Sequence, residues 1–435
     1  MSATTRSVRG TLDTLPPDKS ISHRAALIAA LARGTSRIDN FSAGFDNQTT
    51  LHALRQVGIE CEQTVEPNGR RSVVIRSHGL WSLKPPSAPI ECNNSGSTMR
   101  MLSGILAAQP FSSTLLGDAS LMRRPMRRIA EPLSQMGAKI ELSTAHTAPI
   151  HIHGSKTLHP ISYSSPLASA QVKSAIIFAA LHADGVSEVI EPALSRNHTE
   201  LMLGLETEML DDGQHKVKIK GGMEPLATDY VVPADPSAAC FILAFALLAS
   251  RSELVLKNVC LNPTRVAYLD LLRASGAVLT VENLHYLGGE PIGDIVLSNT
   301  SLSSPLNISG QPLVAQVIDE IPMLAVLSAL ATEQFSLCDA AELRTKESDR
   351  IAALVLNLRA LGFVCEEHAD GFHVLGRKKI PTEKLRIETF HDHRIAMSFH
   401  IASYFSGANL ELSEQSSVSV SFPNFFQTLQ MLLHS

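Results

Sequence analysis

Aromatic residues make up only 5% of this chain, and a single tryptophan, Trp81, stands among its 435 residues. Platforms that stack single-stranded nucleic acid need many more, so that class of ligand is poorly served. A basic surplus is missing as well. The 37 Lys and Arg face 42 Asp and Glu, a net charge of −5, which argues against a general nucleic-acid binder. The six cysteines, Cys61, Cys92, Cys240, Cys260, Cys338 and Cys365, form no CxxC pair and no metal-type spacing. They read as thiols in a reducing compartment, and no metal site is expected. No uninterrupted apolar run reaches the ~18 residues of a membrane span. The opening MSATTRSVRG has no apolar core of a secretory signal. A cytoplasmic protein without a membrane partner is the expectation.

What is present is a large apolar share, 44% against 18% charged. A chain of this length suits two domains of about 200 residues, each with a sizeable core. One pattern recurs six times, a polar start running into an Ala/Leu/Ile-rich segment: PPDKSISHRAALIAALARG, ECNNSGSTMRMLSGILAAQ, SPLASAQVKSAIIFAALHADG, VPADPSAACFILAFALLAS, VIDEIPMLAVLSALATE and FHDHRIAMSFHIASYFSG. The starts lie roughly 70 to 80 residues apart, the mark of an internal repeat. Each is followed by a strand-like run, such as TSRIDNF or SELVLKN, and then by a second, amphipathic helix. Four of these second helices close on Gly58, Gly137, Gly276 and Gly362, the residue suited to a left-handed helix stop.

The predicted class is α/β, with two domains of three pseudo-threefold repeats, each about βαβαββ, and with buried inner helices. The wholly apolar helices lie inside and the amphipathic ones outside. The expected division gives residues 20–228 to one domain, and 1–19 with 229–435 to the other. A single long solenoid is the alternative, set aside because the six helix starts carry such different, chemically specific residues.

Those starts are where the charge sits. A helix N-terminus presents unpaired N–H groups and partial positive charge, so an anion docks there readily. Lys19 and Arg24 serve the first; Asn94, Ser95, Gly96, Ser97 and Arg100 the second; Ser169, Gln171 and Lys173 the third. The outer helices add Arg123, Arg124, Ser195, Arg196, Lys346 and Arg350, and the sixth inner helix offers His393 and Arg394. Singly, each has a plainer reading: Lys19 a solvated lysine, NNSGS a turn and cap, RRPMRR a wet helix start. Their equivalent placement in a sixfold repeat favours anion binding. Asp319, Glu320, Glu347 and Asp349 add carboxylates, which anion binding alone does not need. Each could be a general base or, for Asp319 and Asp349, a helix cap.

The motifs DKSISHRA, NNSGSTMR, RRPM, ASAQVKSA, SRNHTE, DEIPMLAV, KESDR, DHRIAM and SFPNFF, in that order over nearly the whole chain, resemble the 5-enolpyruvylshikimate-3-phosphate synthases. The resemblance implies a two-domain enolpyruvyl transferase fold that closes over its substrates. It implies transfer of the enolpyruvyl group of phosphoenolpyruvate to the 5-hydroxyl of shikimate 3-phosphate by addition and elimination, with no metal or organic cofactor and with a monomer as the expected state. By position, Ser20, Arg24, Ser169, Ala170 and Gln171 match the shikimate 3-phosphate site, with Ser195 or Arg196 contributing. Lys19 matches the point where both substrates meet. Gly96, Arg124, Gln171, Arg350 and Arg394 match the phosphoenolpyruvate cradle. Asp319 matches a proton acceptor that also binds the shikimate hydroxyls, and Lys346 with Glu347 a pair used in positioning and proton transfer.

The chain departs from the family pattern at several points. Pro17 stands where Gly is usual and stiffens the loop before Lys19. Asn93 replaces a common Gly and Ser97 a common Thr, Ala170 lacks a hydroxyl that some members carry, and Val420 replaces a Lys found in others. The related transferases acting on UDP-N-acetylglucosamine begin with a Lys-Asn pair and use a loop cysteine, and residues 105–130 contain none. A non-catalytic anion binder is the rival from another class; Asp319, Lys346 and Glu347 argue against it.

Overall fold

The computed structural model describes residues 6–67 and 69–433. It divides into two compact units: an N-terminal unit of residues 17–232 with 287–290, and a C-terminal unit of the residues up to 16, 233–286 and those from 291 on. The expected division at 19/20 and 228/229 is thus displaced by a few residues, and its ends at 1–5 and 434–435 lie outside the described residues. The displacement has a local cause. Lys19 is the first residue of a helix of the N-terminal unit, and the chain beyond Thr228 still pairs there, Tyr230–Val231 running parallel to Arg33–Asp39.

All six inner helices are present: Lys19–Leu31, Gly96–Ala107 and Ala170–Ala180 in the N-terminal unit, and Pro236–Leu247, Ile321–Thr332 and His393–Phe405 in the C-terminal one. Four of the six starts are fixed by side chains that accept from orphan N–H groups. Asp18 accepts from Ile21, Ser95 from Thr98, Asp235 from Ser237 and Asp392 from Arg394. Beyond the first turn the residues are mostly Ala, Leu, Ile and Phe, and Pro236–Leu247 is buried at every position. No single described helix is long and apolar enough to cross a membrane; Gln311–Val317 with Ile321–Thr332 has the length as a bent pair, but the second is a core helix.

Each repeat sets its sheet in the same order. In the second, Ile90–Glu91 pairs in parallel with Ser112–Leu116, which pairs antiparallel with Ile150–His153, followed by Lys139–Glu141. Five of the six repeats build such a four-stranded sheet, and the sixth stops at two strands, Lys384–Ile387 and Asn409–Leu412. One feature departs from a linear repeat. Ser7–Leu12, which precedes the first inner helix, pairs with Arg251–Cys260 in the C-terminal unit, while Tyr230–Val231, which precedes the fourth, stays in the N-terminal unit. Each unit's edge strand therefore comes from the far side of a chain crossing. The helix stops expected at Gly58, Gly137, Gly276 and Gly362 all have φ between +81° and +107°.

Candidate active site

In the N-terminal unit, buried hydrogen bonds tie the starts of the three inner helices to one another. Arg24, fully within the helix Lys19–Leu31, donates from Nε to Thr199 Oγ1 at 2.8 Å, from Nη2 to Ser174 Oγ at 3.2 Å and from Nη1 to the Ser20 carbonyl at 3.1 Å. Arg196 reaches Ser20 Oγ at 3.2 Å. A relay of short bonds runs from His23 Nδ1 through Thr50 and Thr98 to Ser95, each step 2.7 Å. Burial first, then Lys19 and Arg24, push the His23 pKa well below its usual value, so this imidazole is a neutral structural member. Lys19 Nζ forms an ion pair with Asp46, and its carbonyl accepts from Asn47.

The second and third starts are joined by Arg100 and Gln171. Arg100 Nη1 donates to Gln171 Oε1 at 2.6 Å, and Gln171 Nε2 donates to Ser97 Oγ at 2.9 Å. Arg124 Nη2 donates to Asn94 Oδ1 at 2.6 Å. Gly96 lies beneath both guanidinium groups: a Cβ placed there would sit 2.8 Å from Arg100 Nη1 and 3.5 Å from Arg124 Nη1. Two cations thus cover the open N-terminus of the helix Gly96–Ala107, an arrangement suited to an anion. Ser169 precedes the helix Ala170–Ala180 without capping it through its side chain.

Lys173 belongs elsewhere. Read from sequence as a cation of the third start, it lies one turn further in, 1% exposed, with Nζ 2.5 Å from Glu191 and 2.7 Å from Glu200. Two carboxylates consume it, and it is not available to an anion.

The C-terminal unit gathers its own set around Arg350, whose side chain is 1% exposed. Nε donates to Asp392 Oδ2 at 2.8 Å, Nη2 to Glu347 Oε2 at 2.7 Å, and Nη1 lies 3.4 Å from Asp319 Oδ1. Arg394 donates from Nη1 to the Asp319 carbonyl at 2.6 Å, with Nη2 3.6 Å from Asp319 Oδ2. Asp319, Glu347, Arg350 and Arg394 are therefore brought together from segments up to 75 residues apart. Burial opposes ionisation of Asp392, but Arg350 outweighs it and holds the carboxyl below the usual range. Lys346 is turned to Glu342, at 2.9 Å. Asp349 caps its helix by accepting from Ala352, whereas Asp319 lies beside the two arginines.

Among the participants that escaped the sequence reading are Asp46, Thr199, Glu342 and Asp392. Thr199 and Asp392 were within reach, since they stand inside SRNHTE and DHRIAM. Asp46 and Glu342 sit in outer segments whose composition is ordinary.

These features coincide with one family. The model of EPSP synthase (3-phosphoshikimate 1-carboxyvinyltransferase) matches residues 3–429. The chain belongs to the EPSP synthase family. It is 60% identical over 428 residues to a 3-phosphoshikimate 1-carboxyvinyltransferase of Chlorobaculum tepidum, covering 98% of this chain and 99% of that one. A counterpart in Chlorobium chlorochromatii is 60% identical over 431 residues, with the same coverage. Among solved structures, an EPSP synthase from Acinetobacter baumannii superposes with a TM-score of 0.81 at 38% identity, over 98% of this chain and 96% of that chain. The enolpyruvyl transferase NikO from Streptomyces tendae superposes with a TM-score of 0.70 at 15% identity, over 99% of this chain and 96% of that one, and shares the fold.

Proposed function

We propose that this EPSP synthase family member transfers the carboxyvinyl group of phosphoenolpyruvate to the 5-hydroxyl of shikimate 3-phosphate, with the arginine-framed carboxylate Asp319 as proton acceptor. The observation that carries the reading is Asp319 itself. A protein that only captured anions would gain nothing from setting a carboxylate beside Arg350 and Arg394. A carboxylate so placed can take the hydroxyl proton as the oxygen attacks the enol carbon. Lys19 is assigned the proton delivered to the methylene carbon. The tetrahedral adduct then returns a proton from its C3 methyl to Lys19 while phosphate leaves C2 with the proton held by Asp319, which restores the double bond and both side chains.

Shikimate 3-phosphate is assigned to Ser20, Arg24, Ser169, the Ala170 backbone, Gln171 and the Ser195–Arg196 loop, with Lys19 shared between the substrates. Phosphoenolpyruvate is assigned to Gly96, Arg124, Gln171, Arg350 and Arg394, whose guanidinium groups match its phosphate and carboxylate. Lys346 and Glu347 are assigned positioning of the reacting groups. The reading carries with it a cytoplasmic monomer acting on two small phosphorylated acids, with no nucleic acid or membrane partner. Its test is phosphate release: both substrates together should release phosphate stoichiometrically with product, and either alone should release none. Release from phosphoenolpyruvate alone, or none from the pair, defeats it.

A further inference from the structure

The N-terminal unit buries a charge cluster that the proposed chemistry leaves unused. Lys173, Glu191 and Glu200 have side chains 1% exposed. Burial acts to lower the Lys173 pKa, but Glu200 and Glu191 outweigh it and raise it, so the ammonium stays charged. His215 Nδ1 lies 3.9 Å from Glu191 Oε1, and burial, then Lys173, hold its pKa down. Taking three charges out of water is costly, and a cluster of this kind is a means of fixing geometry more than of gaining stability.

What it fixes is Ser195. The Ser195 N–H donates to Glu191 Oε1 at 2.9 Å, and its hydroxyl donates to Glu191 Oε2 at 2.6 Å. Lys173 Nζ lies 3.5 Å from the Ser195 carbonyl. Every polar group of Ser195 is thus engaged by this cluster. A serine hydroxyl has one proton to give. Given to Glu191, that proton cannot also go to a phosphate oxygen, which only accepts. The next residue is free of that restriction: Arg196 carries a fork of N–H donors and reaches Ser20 Oγ at the first helix start.

We propose that Glu191 is a positioning residue, locking Ser195 as a fixed anchor so that Arg196, and not the Ser195 hydroxyl, meets the phosphate of shikimate 3-phosphate. This rests on the reading of the Ser195–Arg196 loop as part of that substrate's site. Lys173 and Glu200 hold Glu191 in place from behind.

The test is steady-state kinetics of E191Q, S195A, R196A and the E191Q/S195A pair, with each substrate varied in turn and thermal melts alongside. E191Q should raise KM for shikimate 3-phosphate about tenfold, with kcat and KM for phosphoenolpyruvate within about threefold. S195A should raise that KM less than E191Q and far less than R196A, and the double variant should be no worse than E191Q, since both act through one bond. A larger effect of S195A than of R196A, multiplying effects in the pair, or an E191Q with unchanged KM overturns the proposal. If E191Q gives no cooperative melt, the order of S195A and R196A decides alone. Wild-type turnover separates the two readings: an inactive wild type overturns the function as well, while an active wild type with any contrary result overturns only the role of Glu191.

Discussion

Arg350 reaches Asp392 through Nε at 2.8 Å, with both side chains shut from solvent, 1% and 0% exposed. Asp392 also caps the sixth inner helix and accepts from Ser348. One carboxylate therefore orients an arginine assigned to phosphoenolpyruvate and starts the helix that carries Arg394.

Asp392→Asn should expose the cost of that pairing. Removing one partner of a buried ion pair typically costs about 3–5 kcal/mol. Urea unfolding of the variant should show a loss in this range together with a raised KM for phosphoenolpyruvate; unchanged stability would mean that the pair is not formed in solution.

The same carboxyl sets an acid limit. Its folded pKa lies below the ordinary value of 3.8, so its stabilisation is complete above that value and is lost as pH falls through the lower folded one. His400 acts at higher pH. Burial lowers its pKa from 6.5 to about 4, so the unfolded chain binds a proton there that the folded one does not, and stability declines as pH falls from about 6.5 toward 4. His400 packs edge-on against Tyr404, Phe425 and Phe426. His400→Phe should keep that packing and lessen the fall in melting temperature across this window, with the buried His23, His182 and His215 still contributing. A slope equal to wild type's would exclude His400 as its source.

Gly96→Ala places a methyl 2.8 Å from Arg100 Nη1, a separation that forces the guanidinium aside. KM for phosphoenolpyruvate should rise about tenfold or more, with a smaller change for shikimate 3-phosphate. Equal effects on both substrates would detach Gly96 from the phosphoenolpyruvate cradle.

Lys19→Ala and Arg124→Ala should each lower kcat/KM by about 10²-fold or more, the usual scale for removing one preorganised charge. Asp319→Asn keeps the shape but not the basicity, and should cost about 10²–10⁴-fold in kcat with KM little changed. Phosphate release from both substrates measures all three, and near-wild-type turnover in Lys19→Ala or Asp319→Asn would dismiss its assigned role.

The sequence by itself determined the six inner helices, their polar starts and the strand that follows each. These follow from apolar periodicity, from Asp or Ser just before a helix, and from glycine where φ must be positive, all within a few residues. It also placed cations at the helix starts. How each is placed only the tertiary structure decided. Lys19 and Lys173 look alike in a motif, but Lys19 pairs with Asp46 and is 21% exposed, whereas Lys173 is 1% exposed between Glu191 and Glu200, which lie 18 and 27 residues away and approach it only when the third repeat folds. Asp319 and Asp349 were equally good caps on paper; Asp349 takes the N-cap position of its helix, while Glu320 takes that position in the other and Asp319 lies beside Arg350 and Arg394, which arrive from 31 and 75 residues along the chain. The pairing of Tyr230–Val231 with Arg33–Asp39, which keeps the chain beyond Thr228 in the N-terminal unit, was likewise undecidable from composition, since backbone pairing carries no side-chain signature of the partner it will find.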